Sequence, residues 1–154
     1  LEERLPIKSI TVMVQKEAAD RICASVGSRE SGALTVAVNY YSTPKKLFNV
    51  SRGSFTPSPN VDSAVIRLDV AKEKKYDVRD EKLFFRIVRA AFSQRRKQMI
   101  NPLSAELKIQ KSELTAIFGS VGIQPLARAE TLSMEDFAAL ANRLMVNDSE
   151  KAQN

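Results

Sequence analysis

The chain has 154 residues and a formal net charge of +6, with 44% hydrophobic and 27% charged residues, a composition typical of ordinary globular proteins. It contains no histidine and a single cysteine, Cys23. These counts exclude a histidine-based catalytic triad, a conventional zinc site and an internal disulfide bond. Cys23 falls in an apolar helical pattern, which favours a buried structural thiol and a reducing, cytoplasmic setting. No apolar run approaches the length of a membrane span, and length alone predicts one domain.

The first part of the chain alternates short β-branched runs with helical patterns. Residues 10–14 predict a strand, and residues 16–26 follow helical spacing with their apolar side chains on one face. Residues 34–41 also follow helical spacing, although their β-branched content leaves a strand open. The remaining predicted elements of this part are strands at 45–50 and 62–70, with a loop at 51–59 between them.

A charged segment separates this part from a helical one. Residues 71–80 are rich in charge and poor in apolar side chains, which predicts a linker. Beyond them we predict helices at 81–97, 104–107, 111–121 and 133–146, with Ser133 as the N-cap of the last. We therefore divide the chain into an α/β part at 1–70, the linker at 71–80, a helical domain at 81–148 and a disordered tail at 149–154.

Positive charge is concentrated in the helical domain. Between Lys82 and Lys111 eight basic residues stand against the single acid Glu106, a net charge of +7. If 81–97 is one helix, its basic side chains fall within a sector of about 100°, opposite an apolar side. Such segregation favours contact with a nucleic-acid backbone, and a solvated helix face is the ordinary alternative. The sector holds Lys82, Arg86, Arg89, Ser93, Arg96 and Lys97, and the apolar side holds Phe84, Ile87, Val88, Ala91 and Phe92.

Arg95 does not fit this pattern, because the same helical wheel places it on the apolar side. Three alternatives follow. The helix breaks near Ser93, or Arg95 lies at an interface between domains, or Arg95 lies on a turn that reaches a nucleic acid. Spacing does not choose between them, because helix ends are uncertain by one or two residues.

The loop after the second predicted strand carries the most informative motif. Residues 55–65 read FTPSPNVDSAV, in which Phe55 is followed by prolines at alternate positions. Pro57 and Pro59 each fix φ at about −65° and restrict the residue before them. Phe55 therefore lies on a stiff arm that loses little freedom on holding a ligand. A phenylalanine next to a strand is more often a core residue, but the prolines and polar residues of this loop disfavour burial.

The chain resembles the rRNA adenine N6,N6-dimethyltransferases of the KsgA type. Besides FTPSPNVDSAV, four segments match that family in order: VMVQKEAADRI at 12–22, GALTVAVNYYS at 32–42, AFSQRRK at 91–97 and RAETLS at 128–133. The resemblance implies an α/β plus α fold. The last strands and helices of a Rossmann-like S-adenosylmethionine methyltransferase sheet would be followed by a small all-helical RNA-binding domain.

The resemblance also implies roles for individual residues. The aromatic residue of the family's FxPxP segment stacks on the flipped target adenine, which assigns this role to Phe55. The resemblance favours RNA contact for the basic side chains of the predicted helix at 81–97. It also offers Arg128 as a further RNA contact, for which a salt bridge with Glu130 or a helix-end interaction is an equal alternative. These expected RNA-binding residues are Lys82, Arg86, Arg89, Arg95, Arg96, Lys97 and, with that alternative, Arg128.

Three positions depart from the family pattern. Ser51 and Arg52 stand where the family often has Pro-Pro before the aromatic arm. Asn60 replaces a common lysine, and Ile100 replaces an arginine often found beyond QRRK. These departures affect the phosphate contacts more than the function that the resemblance implies.

The motifs that hold the methyl donor are absent from the sequence. No two of the five glycines are spaced as GxG, and the family's NLPY-type motif is missing. We therefore expect the carboxyl-terminal portion of a longer enzyme, inactive alone, with no cofactor-binding residue and no metal site of its own. Exposed strand edges would allow non-native self-association of such a portion.

The complete enzyme would transfer methyl groups from S-adenosylmethionine to N6 of two adjacent adenines of small-subunit (16S) rRNA in the immature small ribosomal subunit. Two alternatives stay open. One is a large-subunit rRNA adenine N6-methylase of the macrolide-resistance type. The other is a non-catalytic rRNA-binding or ribosome-assembly module.

Overall fold

The computed structural model describes residues 6–152, and their side chains as far as residue 146. A three-stranded sheet with two helices is followed by four further helices. The strands are β1 (Ser9–Gln15), β2 (Ser42–Val50) and β3 (Ser63–Val70). The helices are α1 (Lys16–Ile22), α2 (Ala33–Tyr41), α3 (Glu81–Phe92), α4 (Ile100–Leu107), α5 (Lys111–Ser120) and α6 (Met134–Ala152), with short 3-10 turns at Arg52–Ser54 and Ala129–Thr131.

The middle strand of the sheet is β3, which pairs antiparallel with both β1 and β2. The two outer strands therefore run parallel to each other. Ser63 lies opposite Gln15 of β1 and opposite Val50 of β2. The carboxyl ends of both outer strands thus meet the start of β3 at one end of the sheet, which we call the upper end.

One face of the sheet is covered and the other carries an exposed apolar row. A small core of Ala19, Val38, Ala64, Ile66 and Leu68 joins α1 and α2 to β3. Side chains alternate along a strand, so Val65 points to the opposite face. There it lies in register between Met13 and Phe48, which are 52% and 57% exposed.

A second and larger core lies within the helical domain and includes one side of α2. Tyr40 of α2 is 4% exposed, and its ring centroid lies 5.1 Å from those of Phe84 and Phe85 in α3. Val36 belongs to the same core, whereas Val38 belongs to the core beneath the sheet. Helix α2 therefore serves both parts of the molecule, and the two parts are not separate modules.

The segment 71–80 has neither helix nor strand, as expected of a linker, but it is fixed along its length. Lys75 Nζ donates hydrogen bonds to the carbonyl oxygens of Asn39 (3.0 Å) and Ser42 (2.9 Å) near the end of α2. Val78 is buried in the larger core. The amide of Asn142 in α6 donates to Asp77 O at 2.7 Å.

The structure confirms the positions of the predicted elements, including a helix rather than a strand at 34–41, and moves several ends. The first helix ends at Ile22 instead of residue 26, and Gly27 beyond it has a φ of +85°. The final helix covers 149–152, within the expected disordered tail, while 153–154 lie outside the described residues. Ser133 caps that helix as predicted, because its Oγ accepts from Asp136 N at 3.1 Å while Asp136 Oδ2 accepts from Ser133 N at 2.9 Å.

The largest difference concerns the helix predicted at 81–97, which ends at Phe92. Ser93 Oγ donates to Ala90 O at 2.7 Å, and Ser93 N bonds to the same carbonyl at 3.1 Å. A serine hydroxyl that bonds to the preceding turn competes with helix continuation. Residues 93–97 form a turn instead, closed by Lys97 N donating to Gln94 O at 2.8 Å. We call residues 93–97 the basic turn.

Among the residues that the structure describes, no helix is long and apolar enough to cross a bilayer.

Candidate nucleic-acid interface

The loop that carries Phe55, residues 51–62, is closed by hydrogen bonds to one residue, Arg52. The Arg52 amide donates to Asp62 Oδ1 at 3.0 Å, and its carbonyl accepts from Ser58 Oγ at 3.0 Å. The Arg52 guanidinium donates to Asn60 O at 3.4 Å. These bonds cross the loop and hold its two arms together. We call this segment the Phe55 loop.

Phe55 itself is half-buried and belongs to neither hydrophobic core of the described residues. Residues on both sides of it are exposed. The loop follows the carboxyl end of β2, so Phe55 lies at the upper end of the sheet. Its environment is therefore that of a surface aromatic on a braced loop, which agrees with the alternative that we favoured over a core role.

The first half of the predicted basic stripe forms as expected on α3. Lys82, Arg86 and Arg89 are exposed on that helix, opposite the buried Phe84 and Ile87. Arg86 is paired with Glu106 of α4, with Nε 2.7 Å from Oε1. Arg89 has no ion pair among the described residues. The three cations are therefore not electrostatically equivalent.

The second half of the predicted stripe lies on the basic turn, so the helical wheel does not apply to Arg95, Arg96 or Lys97. Arg95 Nη2 donates to Arg29 O at 2.7 Å and to Ser31 O at 3.2 Å. The helix break and the interface alternatives for Arg95 thus both occur. Arg96 and Lys97 are exposed and make no ion pair within the described part of the chain.

The basic turn and the Phe55 loop lie at the same end of the sheet. Arg95 lines a cleft of about 420 Å³ together with Gln15, the last residue of β1, and Glu17. Glu17 also lines a neighbouring cleft of about 470 Å³ with Arg52 and Asp62 of the Phe55 loop. The Phe55 loop and the basic turn therefore border neighbouring clefts that share Glu17.

Arg128 lies just before the 3-10 turn Ala129–Thr131 and is exposed. No salt bridge between Arg128 and Glu130 occurs among the described ion pairs. The Arg128 carbonyl accepts from Thr131 Oγ1 at 2.8 Å, while the backbone of Met99 bonds to Ala127 O at 3.1 Å. The segment is thus fixed against the start of α4, and the Arg128 guanidinium is presented to solvent.

Sequence reasoning missed two residues of this surface. Arg52 is the only Lys or Arg between Lys46 and Arg67, and it was noted only as a departure from Pro-Pro. Its place three residues before the aromatic of the FTPSP segment was the available signal. Glu106, the single acid of the basic window, was counted without a partner, although a lone acid among cations is expected to pair with one of them.

At the upper end of the sheet, β1 passes directly into α1 at Gln15–Lys16 without a glycine that would let a ligand approach the backbone. A cavity of about 520 Å³ lies at the opposite end of the sheet, between Lys8, Tyr41, Val70 and Lys72. Within the described ranges no group of three or more His, Cys, Asp or Glu residues is arranged to hold a metal ion.

Comparison with known proteins identifies the family. The profile of the Ribosomal RNA adenine dimethylase family matches residues 1–145. The chain is 47% identical over 145 residues to Ribosomal RNA small subunit methyltransferase A of Alkaliphilus oremlandii (strain OhILAs), covering 94% of this chain and 50% of that protein. It is also 47% identical over 148 residues to the protein of that name from Geobacillus thermodenitrificans (strain NG80-2), with the same coverage. The chain thus spans about half the length of these relatives.

Two solved structures share the fold. A dimethyladenosine transferase from Plasmodium falciparum superposes with a TM-score of 0.74 at 24% identity, over 96% of this chain and 60% of that one. The 23S rRNA methyltransferase ErmE superposes with a TM-score of 0.61 at 23% identity, over 92% and 57% of the two chains. From the family match over residues 1–145 and the close relatives, we conclude that this chain belongs to the ribosomal RNA adenine dimethylase family.

Proposed function

We propose that this chain is the carboxyl-terminal, RNA-holding part of a small-subunit rRNA adenine N6,N6-dimethyltransferase. Three observations support the proposal: the family match, relatives at 47% identity named for the small subunit, and a span of half their length. The arrangement of β3 antiparallel between two parallel strands supports the proposed place at the end of a larger sheet. The remainder of the protein would bind S-adenosylmethionine, which supplies the methyl group as an electrophile.

The observation that carries the proposal is the placement of the Phe55 loop and the basic turn beside neighbouring clefts. A half-buried aromatic on the surface of a loop closed by hydrogen bonds can stack on a nucleobase, which is worth on the order of 1 to 3 kcal/mol. Nearby cations can hold the phosphates on either side of that base. One RNA strand can therefore be fixed both by its backbone and by an extruded adenine.

Methylation of an adenine amine depends on this kind of holding more than on a side-chain base. The amine must point at the methyl group, and the base must be kept from rotating. In the proposed site Phe55 covers one face of the adenine. Phosphate contacts are assigned to Lys82, Arg89, Arg96, Lys97 and Arg128, with a weaker contribution from the paired Arg86 and an indirect one from Arg95.

The proposed substrate is small-subunit rRNA in the immature small ribosomal subunit, in the cytoplasm. A large-subunit rRNA substrate and a purely RNA-binding role are the competing outcomes. Self-association of the chain through its outer strands stays a prediction, which light scattering at increasing concentration checks.

Two measurements test the proposal. The complete protein, offered immature small subunits and large-subunit rRNA in competition with labelled S-adenosylmethionine, should methylate the small subunit. Preferred labelling of the large-subunit rRNA would overturn the substrate, and no labelling of either would leave the RNA-binding role. For the 154-residue chain alone, calorimetry with S-adenosylmethionine should show no heat of binding, while tight stoichiometric binding would contradict the proposed division of labour.

A further inference from the structure

The basic turn is attached to the α/β part by the side chain of Arg95. Arg95 Nη2 lies 2.7 Å from Arg29 O and 3.2 Å from Ser31 O, so one nitrogen serves two carbonyls of the loop between α1 and α2. Ser31 is fully buried. A buried carbonyl needs a hydrogen-bond donor, and a charged donor is stronger than a neutral one. The guanidinium of Arg95 is therefore engaged where the two parts of the molecule meet.

The loop that Arg95 holds, residues 23–32, runs close to the segment before α6 on its other side. Gly27 has a φ of +85°, and a Cβ added there would lie 3.5 Å from Leu132 O, two residues before α6. The Ser28 and Ser31 hydroxyls are buried without a hydrogen-bond partner within the described residues. The loop thus lies between the segment before α6 and the basic turn, and its apolar side chains Cys23 and Val26 pack against the smaller and the larger core.

The far end of this loop leads to the expected base-holding surface. Thr35 Oγ1 accepts from Gly32 N at 3.0 Å and donates to Arg21 O at 2.8 Å, which ties the start of α2 to the end of α1. Helix α1 follows β1 directly at the upper end of the sheet, next to the cleft shared with the Phe55 loop. A connected path of hydrogen bonds and helices therefore joins Arg95 to the surface around Phe55.

We propose that Arg95 is a positioning residue and not a phosphate ligand. It holds the basic turn at a fixed distance from the Phe55 loop, so that one RNA can engage both at once. This inference rests on the proposed function. Two linked contacts reinforce each other only when the distance between them matches the distance between their binding points on the RNA. We call the Arg95 hydrogen bonds to Arg29 O and Ser31 O the brace. Its loss should weaken simultaneous RNA binding by both contacts more than binding by either contact alone.

The test compares two RNA probes and matched variants of the 154-residue chain. One probe is a small-subunit rRNA stem-loop with unpaired adenines, and the other is a fully paired duplex of the same length. R95M should weaken stem-loop binding several-fold, leave duplex binding within about twofold and keep the salt slope unchanged, because no phosphate contact is lost. R96M, the control, should weaken both probes and flatten the slope by about 0.9. A slope reduced equally in R95M would identify Arg95 as a phosphate ligand and overturn the proposal.

Two further readouts separate a positioning role from general damage. In the R95M background, F55A should cost much less stem-loop affinity than in the wild type, because the two sites no longer act together. R95K keeps a donor and should restore most of the stem-loop affinity. Additive effects of R95M and F55A would contradict the brace.

Hydrogen exchange without RNA tests the brace independently of the proposed function. R95M should speed exchange of the hydrogen-bonded amides of Ser28 and Ser31 at least tenfold and leave those of β3 unchanged, and R95K should restore protection. Unchanged exchange at Ser28 and Ser31 would overturn the positioning role of Arg95 whatever the RNA results. If the wild type binds neither probe, the proposed function fails, while exchange still decides whether Arg95 fixes the loop.

Discussion

Arg86 and Glu106 form a two-point contact between α3 and α4. Arg86 Nε lies 2.7 Å from Glu106 Oε1, and Arg86 Nη2 donates to the backbone carbonyl of Glu106 at 2.7 Å. Both side chains are about half exposed, at 49% and 47%. The pair therefore reduces the positive potential of the stripe at its centre without removing it.

The first prediction follows from this pair. R89M should lower RNA affinity and flatten the salt slope by about 0.9, because an unpaired cation is lost. R86M should have a smaller effect on the slope, since its charge is already partly balanced. E106Q should raise RNA affinity and steepen the slope by freeing Arg86. Filter binding at several salt concentrations measures all three, and equal slopes for R86M and R89M would contradict the pairing argument.

The second prediction concerns Phe55. F55A should weaken binding of an adenine-containing stem-loop by about 1 to 3 kcal/mol, the usual worth of base stacking. F48A is the control, because Phe48 is a second surface phenylalanine, 57% exposed, and lies on the open face of the sheet. Fluorescence of 2-aminopurine placed at the target adenine should be quenched by wild type and by F48A. Quenching by F55A as well would exclude stacking on this side chain.

The third prediction separates the two properties of Asp62, its charge and its acceptor oxygen. D62A removes the acceptor for Arg52 N, which leaves that amide unpaired, and should release the Phe55 loop. We expect weaker stem-loop binding with an unchanged salt slope. D62N keeps an acceptor oxygen and removes only the charge, so it should bind at least as well as the wild type. Equal losses of stem-loop affinity in both variants would show that RNA binding depends on the charge of Asp62 and not on its hydrogen bond to the loop.

The fourth prediction tests backbone conformation at two glycines. G27A should lower the free energy of unfolding by about 1 to 2 kcal/mol, because a side chain disfavours the positive φ of this position. G119A should raise it by up to about 1 kcal/mol, since Gly119 lies in α5 and a Cβ there would meet nothing within 4 Å. Urea unfolding of both variants provides the comparison, and a neutral G27A would remove the argument for a constrained 23–32 loop.

The fifth prediction is a pH dependence at Cys23. Burial is the main cause that raises the pKa of the Cys23 thiol above its ordinary value, with Lys46 lowering that pKa and Asp20 raising it. Since the thiolate is the reactive form, alkylation by iodoacetamide should need a higher pH in the folded chain than in urea. K46M should displace the rate profile further upward, and D20N downward. A folded profile at or below the one in urea would contradict the effect of burial.

Most of the fold was predictable because it follows from local pattern. The β-branched run at 10–14, the capping residues Ser133 and Asp136, and the segregated faces of 81–92 all behaved as their spacing indicated. The end of α3 was not predictable, because it depends on whether the Ser93 hydroxyl donates to Ala90 O or to water. The sequence allows either choice.

The candidate site residues could be proposed from the sequence, whereas the contacts between their side chains and the rest of the chain could not. Phe55 and the exposed cations could be identified from motif and charge, since both are local properties. The partners of Arg86 and Arg95 are 20 and 64 to 66 positions away along the chain. Sequence periodicity does not indicate contacts between residues so far apart in the chain. The family motif identifies Arg95 without indicating which atoms its side chain contacts.

Helix α2 has a consequence for any attempt to dissect this molecule. Val36 and Tyr40 contribute to the larger core, while Val38, between them in sequence, contributes to the smaller one. A protein that began at residue 81 would thus lack the residues of α2 that complete the larger core. A protein that ended at residue 70 would expose the aromatic face of α2. Exchange of the helical region between homologues should succeed only when the crossover lies upstream of residue 33. The segment that must be exchanged as one unit therefore includes α2 and is larger than the helical domain.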